Sequence, residues 1–389
     1  HIFRIVPQRP EFCHNRPGAG RTARRWAVPL ALAGLAVMAA LWWPARGRIA
    51  HGVNDFLSFY SGARLMGTAE QYNPARYREL QLAVSGWEGD AWQFIRLPFY
   101  AVLLRPLGHL PYPSAYRLWQ FLAVAAVVAF VLLWPATGRA MTLAACCWSY
   151  PLSAAFANGQ DVGWLLLLVT LALRAAATRP MLAGAIFALC GIKFHLFLLL
   201  PLALAAQRRW RMMAGLLAAG AALLALSFAV AGPDWPAQYA HTILNARVSP
   251  AQTKMPNLHG LVSGWPQPLV WSALLSLATA AAVWLAARRA GFEIGLAAAL
   301  AGGLLVSQHA YVADCALLIP ALLIVLAHGR AGWLRYLALA LLAPPAYYLL
   351  TSGHPAGWVA PVAIMILVGG MAWYSRRGPR DETCGAGAG

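Results

Sequence analysis

Apolar runs of about 20 residues, the length one helix needs to cross a bilayer, recur along this chain with arginine clusters between them. The clusters are Arg21, Arg24 and Arg25; Arg174 and Arg179; Arg208, Arg209 and Arg211; Arg288 and Arg289; and Arg376, Arg377 and Arg380. No soluble core can bury that many long apolar segments, so the alternation predicts a polytopic membrane protein with its basic loops in the cytoplasm. Only 11% of the 389 residues are charged and 60% are hydrophobic, whereas soluble domains carry roughly 25% charged residues. The net charge of +18 sits where helices end. It is read as membrane orientation, and no nucleic-acid partner is expected.

Placing every basic cluster inside fixes an expected topology. Residues 1–25 are a disordered basic cytoplasmic terminus, 26–374 a single transmembrane domain and 375–389 a disordered cytoplasmic tail. The run 26–44 follows basic residues as a signal peptide does, but its length suits a retained anchor. An external loop, 45–96, follows and carries two juxtamembrane helices, FYSGARL (Phe59 to Leu65) and PARYREL (Pro74 to Leu80), lying on the outer surface. Segment 97–110 is too short to span and contains Arg105, so it reads as re-entrant or interfacial. Spans follow at 115–134, 140–157 and 161–173.

The interval 181–207 is apolar with basic clusters on both sides. A single straight span would put one cluster outside. A hairpin of two half-helices, broken at GIKFH (Gly191 to His195), keeps both inside, with Lys193 at the tip in a polar cavity. Spans at 212–231, 266–287, 294–307, 315–327, 333–350 and 358–374 complete an all-α bundle of about twelve membrane helices. A second external loop lies at 232–264.

With that topology the unusual polar residues fall in the external half: Asp55, Asn158, Gln160, Lys193, His195, His309 and Asp314. An ionisable group at bilayer depth is costly and marks a functional site by default. Asp55 can take a proton from a hydroxyl, and Lys193 with one or two histidines can neutralise a phosphate leaving group. Together they suggest attack by an alcohol on a lipid-linked phosphate ester or phosphosugar. The structural alternatives are that Asp55 caps the helix beginning near Phe56 and that Asn158 and Gln160 only join helices. Trp42, Trp43, Trp87 and Trp92 read as interfacial residues, with Trp87 or Trp92 also able to stack on a sugar ring.

No metal is expected. The spacing of His259, His309 and Asp314 carries no ligand signature, and Asp90 and Asp161 stand alone rather than as a metal-binding pair. Of the six cysteines, Cys146, Cys147, Cys190 and Cys315 lie in apolar runs and no CxxC occurs.

The run DFLSFYSGARL (Asp55 to Leu65), then NPA (Asn73 to Ala75), LPFYAVLLRPL (Leu97 to Leu107), NGQ (Asn158 to Gln160), AGAIFALCGIKFH (Ala183 to His195) and SQHAYVAD (Ser307 to Asp314) resembles glycosyltransferase family 87. The resemblance implies a GT-C-like bundle and a mannosyltransferase-like activity. The donor would be polyprenyl-phosphate-mannose, on the external (periplasmic) face of the plasma or inner membrane. It also implies Asp55 as general base, with Lys193 and His309 near the lipid phosphate. The partners implied are membrane lipid, the lipid-linked donor and a glycolipid or glycan acceptor, with no cofactor. The chain departs from the family at Arg96-Leu97-Pro98, where members often show Tyr-Pro-Pro, and Arg96 could itself approach a phosphate. The alternative from another class is a lipid-linked sugar transporter or flippase, since broken helices with polar tips are also a transporter device.

Overall fold

A computed structural model of the chain describes residues 20–244, 251–329 and 331–374. The expected disordered tails, apart from the first turns of the N-terminal helix, lie outside the described residues. So do Arg330 and the cluster of Arg376, Arg377 and Arg380.

The described chain is helical, with no strand among the described residues. Helix α1 (Gly20–Trp42) passes through a short turn into α2 (Arg46–His51), and α3 (Phe56–Leu65), α4 (Pro74–Ser85) and α5 (Pro98–Gly108) follow. Next come α6 (Tyr112–Leu133), α7 (Arg139–Cys147), α8 (Tyr150–Ala157), α9 (Val162–Ala175) and α10 (Pro180–Leu189). A 3-10 segment, Cys190–Phe197, leads to α11 (Leu200–Ala206) and α12 (Trp210–Ala231). Beyond are α13 (Trp235–Ile243), α14 (Leu258–Val262), α15 (Pro268–Arg289) and α16 (Phe292–Val306). A second 3-10 segment, Val312–Leu317, opens α17 (Leu318–His328), and α18 (Gly332–Leu342), α19 (Pro345–Ser352) and α20 (Val359–Tyr374) close the chain.

Six helical stretches among the described residues are long and apolar enough to cross a membrane: Val28–Leu65, Tyr112–Leu133, Pro180–Phe197, Trp210–Ala231, Pro268–Arg289 and Pro355–Trp373. This is fewer than the twelve expected, for identifiable reasons. The span expected at 140–157 is bent by 61° between α7 and α8, where Pro151 has no N–H to give and Ser149 caps the second helix by accepting from the Leu152 N–H. The span expected at 333–350 is cut in two at Pro344-Pro345. Helices α9, α16 and α18 and the stretch Val312–His328 are apolar but short. Both α16 and α17 are buried on nearly every side, Gly295–Leu305 in the one and Leu318–Val325 in the other. A helix apolar all round belongs inside a larger structure, and these two form the centre. Helices α6, α12 and α15 turn exposed leucines outward, among them Leu132, Leu217 and Leu277.

Helix α4 buries only Tyr77 and Gln81, one turn apart, and is a surface helix with a single anchored stripe. Helix α3 does not lie on the surface as expected: Phe56 through Ala63 are all buried. Its aromatic side chains decide this, since the Phe56 ring packs 5.5 to 5.8 Å from Tyr112, Tyr116 and Trp119. Helix α5 lies against α3 and α12, with the Phe99 N–H donating to Ser227 Oγ at 3.1 Å. Trp87 and Trp92 face each other at 4.7 Å between ring centroids.

The path through Lys193 sets the site. Gly184 of α10 lies against the Met212 carbonyl of α12, and further along Gly191 and Ser227 both meet Phe99, so α10 and α12 run the same way. The helical course then breaks at Lys193 (φ −127°, ψ 58°). Beyond the break the chain turns back along α16: Leu196 lies against Gly303, and Gln207 donates to the Gly291 carbonyl at 3.2 Å. Arg179 and Arg209, the residues before α10 and α12, therefore share one end of the bundle, and Lys193 stands toward the other.

Candidate active site

Asp55 begins α3 but does not cap it. The neighbouring Asn54 does that work: its Oδ1 accepts the Phe56 N–H at 3.1 Å, while its amide donates to Tyr116 Oη and the Ala157 carbonyl, both at 3.1 Å. The capping alternative for Asp55 therefore falls, and its carboxylate is left for another partner. Oδ2 accepts a hydrogen bond from Gln160 Nε2. Oδ1 accepts none from the described residues.

Gln160 and Asp161 sit on the turn between α8 and α9, which Gly159 makes with φ +63°. The Gln160 Oε1 accepts from Lys193 Nζ at 2.8 Å and Arg96 Nη2 at 3.3 Å. Asp161 accepts from Arg96 Nε at 3.0 Å and Nη2 at 3.4 Å, and pairs with Lys193 Nζ at 3.2 Å. Asp314 binds Lys193 through Oδ1 and accepts the Tyr311 N–H through Oδ2 at 2.8 Å. One connected network thus joins Asp55, Arg96, Gln160, Asp161, Lys193 and Asp314, drawn from five stretches of chain.

Arg96, Asp161, Lys193 and Asp314 are each at most 5% exposed, so their charges are screened mainly by one another. Buried ions persist only when paired and hydrogen-bonded, and Asp161, touching both cations, is the anchor. Lys193 donates hydrogen bonds to Gln160 and Asp314 and forms an ion pair with Asp161. Arg96 is placed by Asp161 on one side and by the Phe59 ring, 5.4 Å from its guanidinium carbon, on the other. Its Nη1 donates to none of the described residues.

Beside the network His195 and His309 meet edge to face, 6.2 Å apart, and Tyr311 packs 5.2 Å from His309. Both histidines are half-buried. Ser307 shapes their loop, its hydroxyl donating to the His309 carbonyl at 2.9 Å. Asn158 stands apart: its amide donates to the Ala154 carbonyl of its own helix at 2.9 Å. Asp161, which stands alone in the sequence, is paired with both cations. The argument that singled out Asp55, a carboxylate at a helix start beside the bilayer, applied equally to it. Among the described residues no three His, Cys, Asp or Glu side chains are grouped to hold a metal ion.

The arrangement offers a carboxylate with one oxygen hydrogen-bonded and the other without a donor among the described residues, next to a set of buried, paired cations. Such a site can accept a proton at Asp55 and stabilise developing negative charge nearby. No curated protein and no solved structure matches the chain. The sequence profile of glycosyltransferase family 87 matches residues 94–312, which include Arg96, Gln160, Asp161, Lys193, His195 and His309; Asp314 lies just beyond its end and Asp55 well before its start. The match extends over more than half of the chain, which belongs to glycosyltransferase family 87 and is a glycosyltransferase.

Proposed function

We propose that this membrane glycosyltransferase moves a sugar, mannose by resemblance, from a polyprenyl-phosphate donor to a glycolipid or glycan hydroxyl, with inversion at the anomeric carbon. Asp55 takes the acceptor's proton, and the acceptor oxygen forms its bond to the anomeric carbon from the face opposite the phosphate. The bond from that carbon to the phosphate oxygen breaks, and its electron pair leaves with the polyprenyl phosphate. The observation that carries this reading is the placement of Asp55 at the end of a buried ion network, with Oδ2 held by Gln160 and Oδ1 without a donor among the described residues. A donor held in the bilayer by its own tail suits a chain of apolar helices, and the reaction is placed on the external face of the plasma or inner membrane. The reading is metal-independent.

Lys193 takes a different part from the one its position suggested. Its buried ammonium is ringed by oxygens of Gln160, Asp161 and Asp314, so it contributes field and order rather than a direct bond to phosphate. Arg96, through Nη1, and the pair His195 and His309 are the groups placed to meet the departing phosphate.

The test is incubation of purified protein with a panel of polyprenyl-phosphate sugars and lipid acceptors, read by mass spectrometry of the lipid extract. One sugar donor is expected to yield product. Asp55→Asn, which keeps shape and removes the base, is expected to lower turnover by about 10²–10⁴-fold while the protein remains folded. Near-normal turnover in that variant removes Asp55 from the role of base.

A further inference from the structure

Gln160 stands between the base and the cations, and its amide can lie in only one orientation. Two cationic donors, Lys193 Nζ at 2.8 Å and Arg96 Nη2 at 3.3 Å, point at the same side-chain atom. That atom must be the carbonyl oxygen, since an NH2 group would face two other donors. The NH2 group is thereby turned to Asp55 and donates to Oδ2. Both cations are held in turn by Asp161, the next residue along the chain. The same turn is fastened to the Asp55 segment by the bond from Asn54 to the Ala157 carbonyl.

We infer that Gln160 is a positioning residue for Asp55 and not a substrate ligand: it ties down Oδ2, so that Oδ1 is the oxygen presented to the acceptor hydroxyl. The inference rests on the reading of Asp55 as base. It adds that the ammonium of Lys193 and the guanidinium of Arg96 reach the reaction through this amide. Its oxygen is pinned by both cations, and the direction of its N–H is fixed as a result. A carboxylate that can rotate presents either oxygen at varied angles, and loss of alignment by about 1 Å is enough to cost about a hundredfold in rate.

The experiment compares kcat and the donor and acceptor KM of the full-length protein with those of Gln160→Met and Gln160→Glu, using the donor identified from the panel. Met keeps the volume and removes the amide. Glu keeps an acceptor for Lys193 and Arg96 but turns a carboxylate oxygen toward Asp55. Both variants are expected to lose kcat by about a hundredfold, with each KM within about twofold of the parent, as an interaction felt only in the transition state requires. If the Met protein does not accumulate, the isosteric Glu variant decides the matter alone. A KM that rises while kcat holds makes Gln160 a substrate ligand and overturns the inference, as does unchanged kcat and KM. Asp55→Asn is run in parallel. If it stays active, the base assignment itself has failed; if it is dead while both Gln160 variants run normally, only the positioning role has failed.

Discussion

Lys193 is where a single residue carries most of the site's electrostatic order. Its ammonium bridges Asp161 and Asp314 with almost no water to share the load. Removing one partner from a buried ionic set is much worse than never having had the set, because the abandoned charges stay buried. Lys193→Met is therefore expected to lower stability by about 3–5 kcal/mol, read as a fall in the thermal unfolding midpoint in detergent. Adding Asp314→Asn to that variant removes the carboxylate left without its cation. The double variant is expected to unfold at a higher temperature than Lys193→Met alone and to remain inactive. Equal midpoints for the two would mean that Asp314 does not depend on Lys193.

At the scale of the element, the α8–α9 turn matters more than either helix it joins. Gly159 is left-handed, and a Cβ there would lie 2.7 Å from Asn54 Oδ1 and 3.0 Å from Phe56 Cβ. Gly159→Ala is expected to lose at least about tenfold in turnover, because the residues it displaces flank Asp55. The backbone strain itself amounts to about 1–2 kcal/mol. Gly86, at the end of α4, has φ +70° with open space around it, so Gly86→Ala bears the same strain and should keep its turnover. Assays of the two variants separate conformational strain from displacement of the base.

This turn also marks how far the sequence could be read. Asp55, Gln160, Lys193 and Asp314 were legible because each is a polar residue in apolar surroundings, and such residues have few innocent explanations. The hydrogen-bond order was not, because spacing along the chain carries no distance. Asp161 has no partner nearby in sequence, and its partners, Arg96 and Lys193, come from distant segments. Asn158, four residues from Ala154 on one helix, bonds locally instead. The internal placement of α3 was hidden because its neighbours, Tyr112, Tyr116 and Trp119, come from a distant helix. Its polar Ser58, Ser61 and Arg64 gave it the pattern of a surface helix.

Across the whole molecule, the tip holding Lys193 is set by a contact well away from it. Gly184 and Gly215 let α10 and α12 touch backbone to backbone; a Cβ on Gly184 would stand 1.9 Å from the Met212 carbonyl, and one on Gly215 2.0 Å from that of Met181. Close approach of small residues is how helices associate in lipid. Gly184→Leu must push the two helices apart and is expected to reduce both the unfolding midpoint and the yield of folded protein. Gly220→Ala, on the same α12 but facing open space, should change neither. The polar network has a consequence for how the chain is made. Lys193 emerges from the ribosome long before Asp314, and in between its direct ion-pair partner is Asp161, which it shares with Arg96. Until the later segment is threaded into the bilayer, the Lys193 ammonium lacks the nearer of its two carboxylate partners. Biogenesis is then a race between synthesis of that last carboxylate and recognition of the unfinished bundle by quality-control proteases.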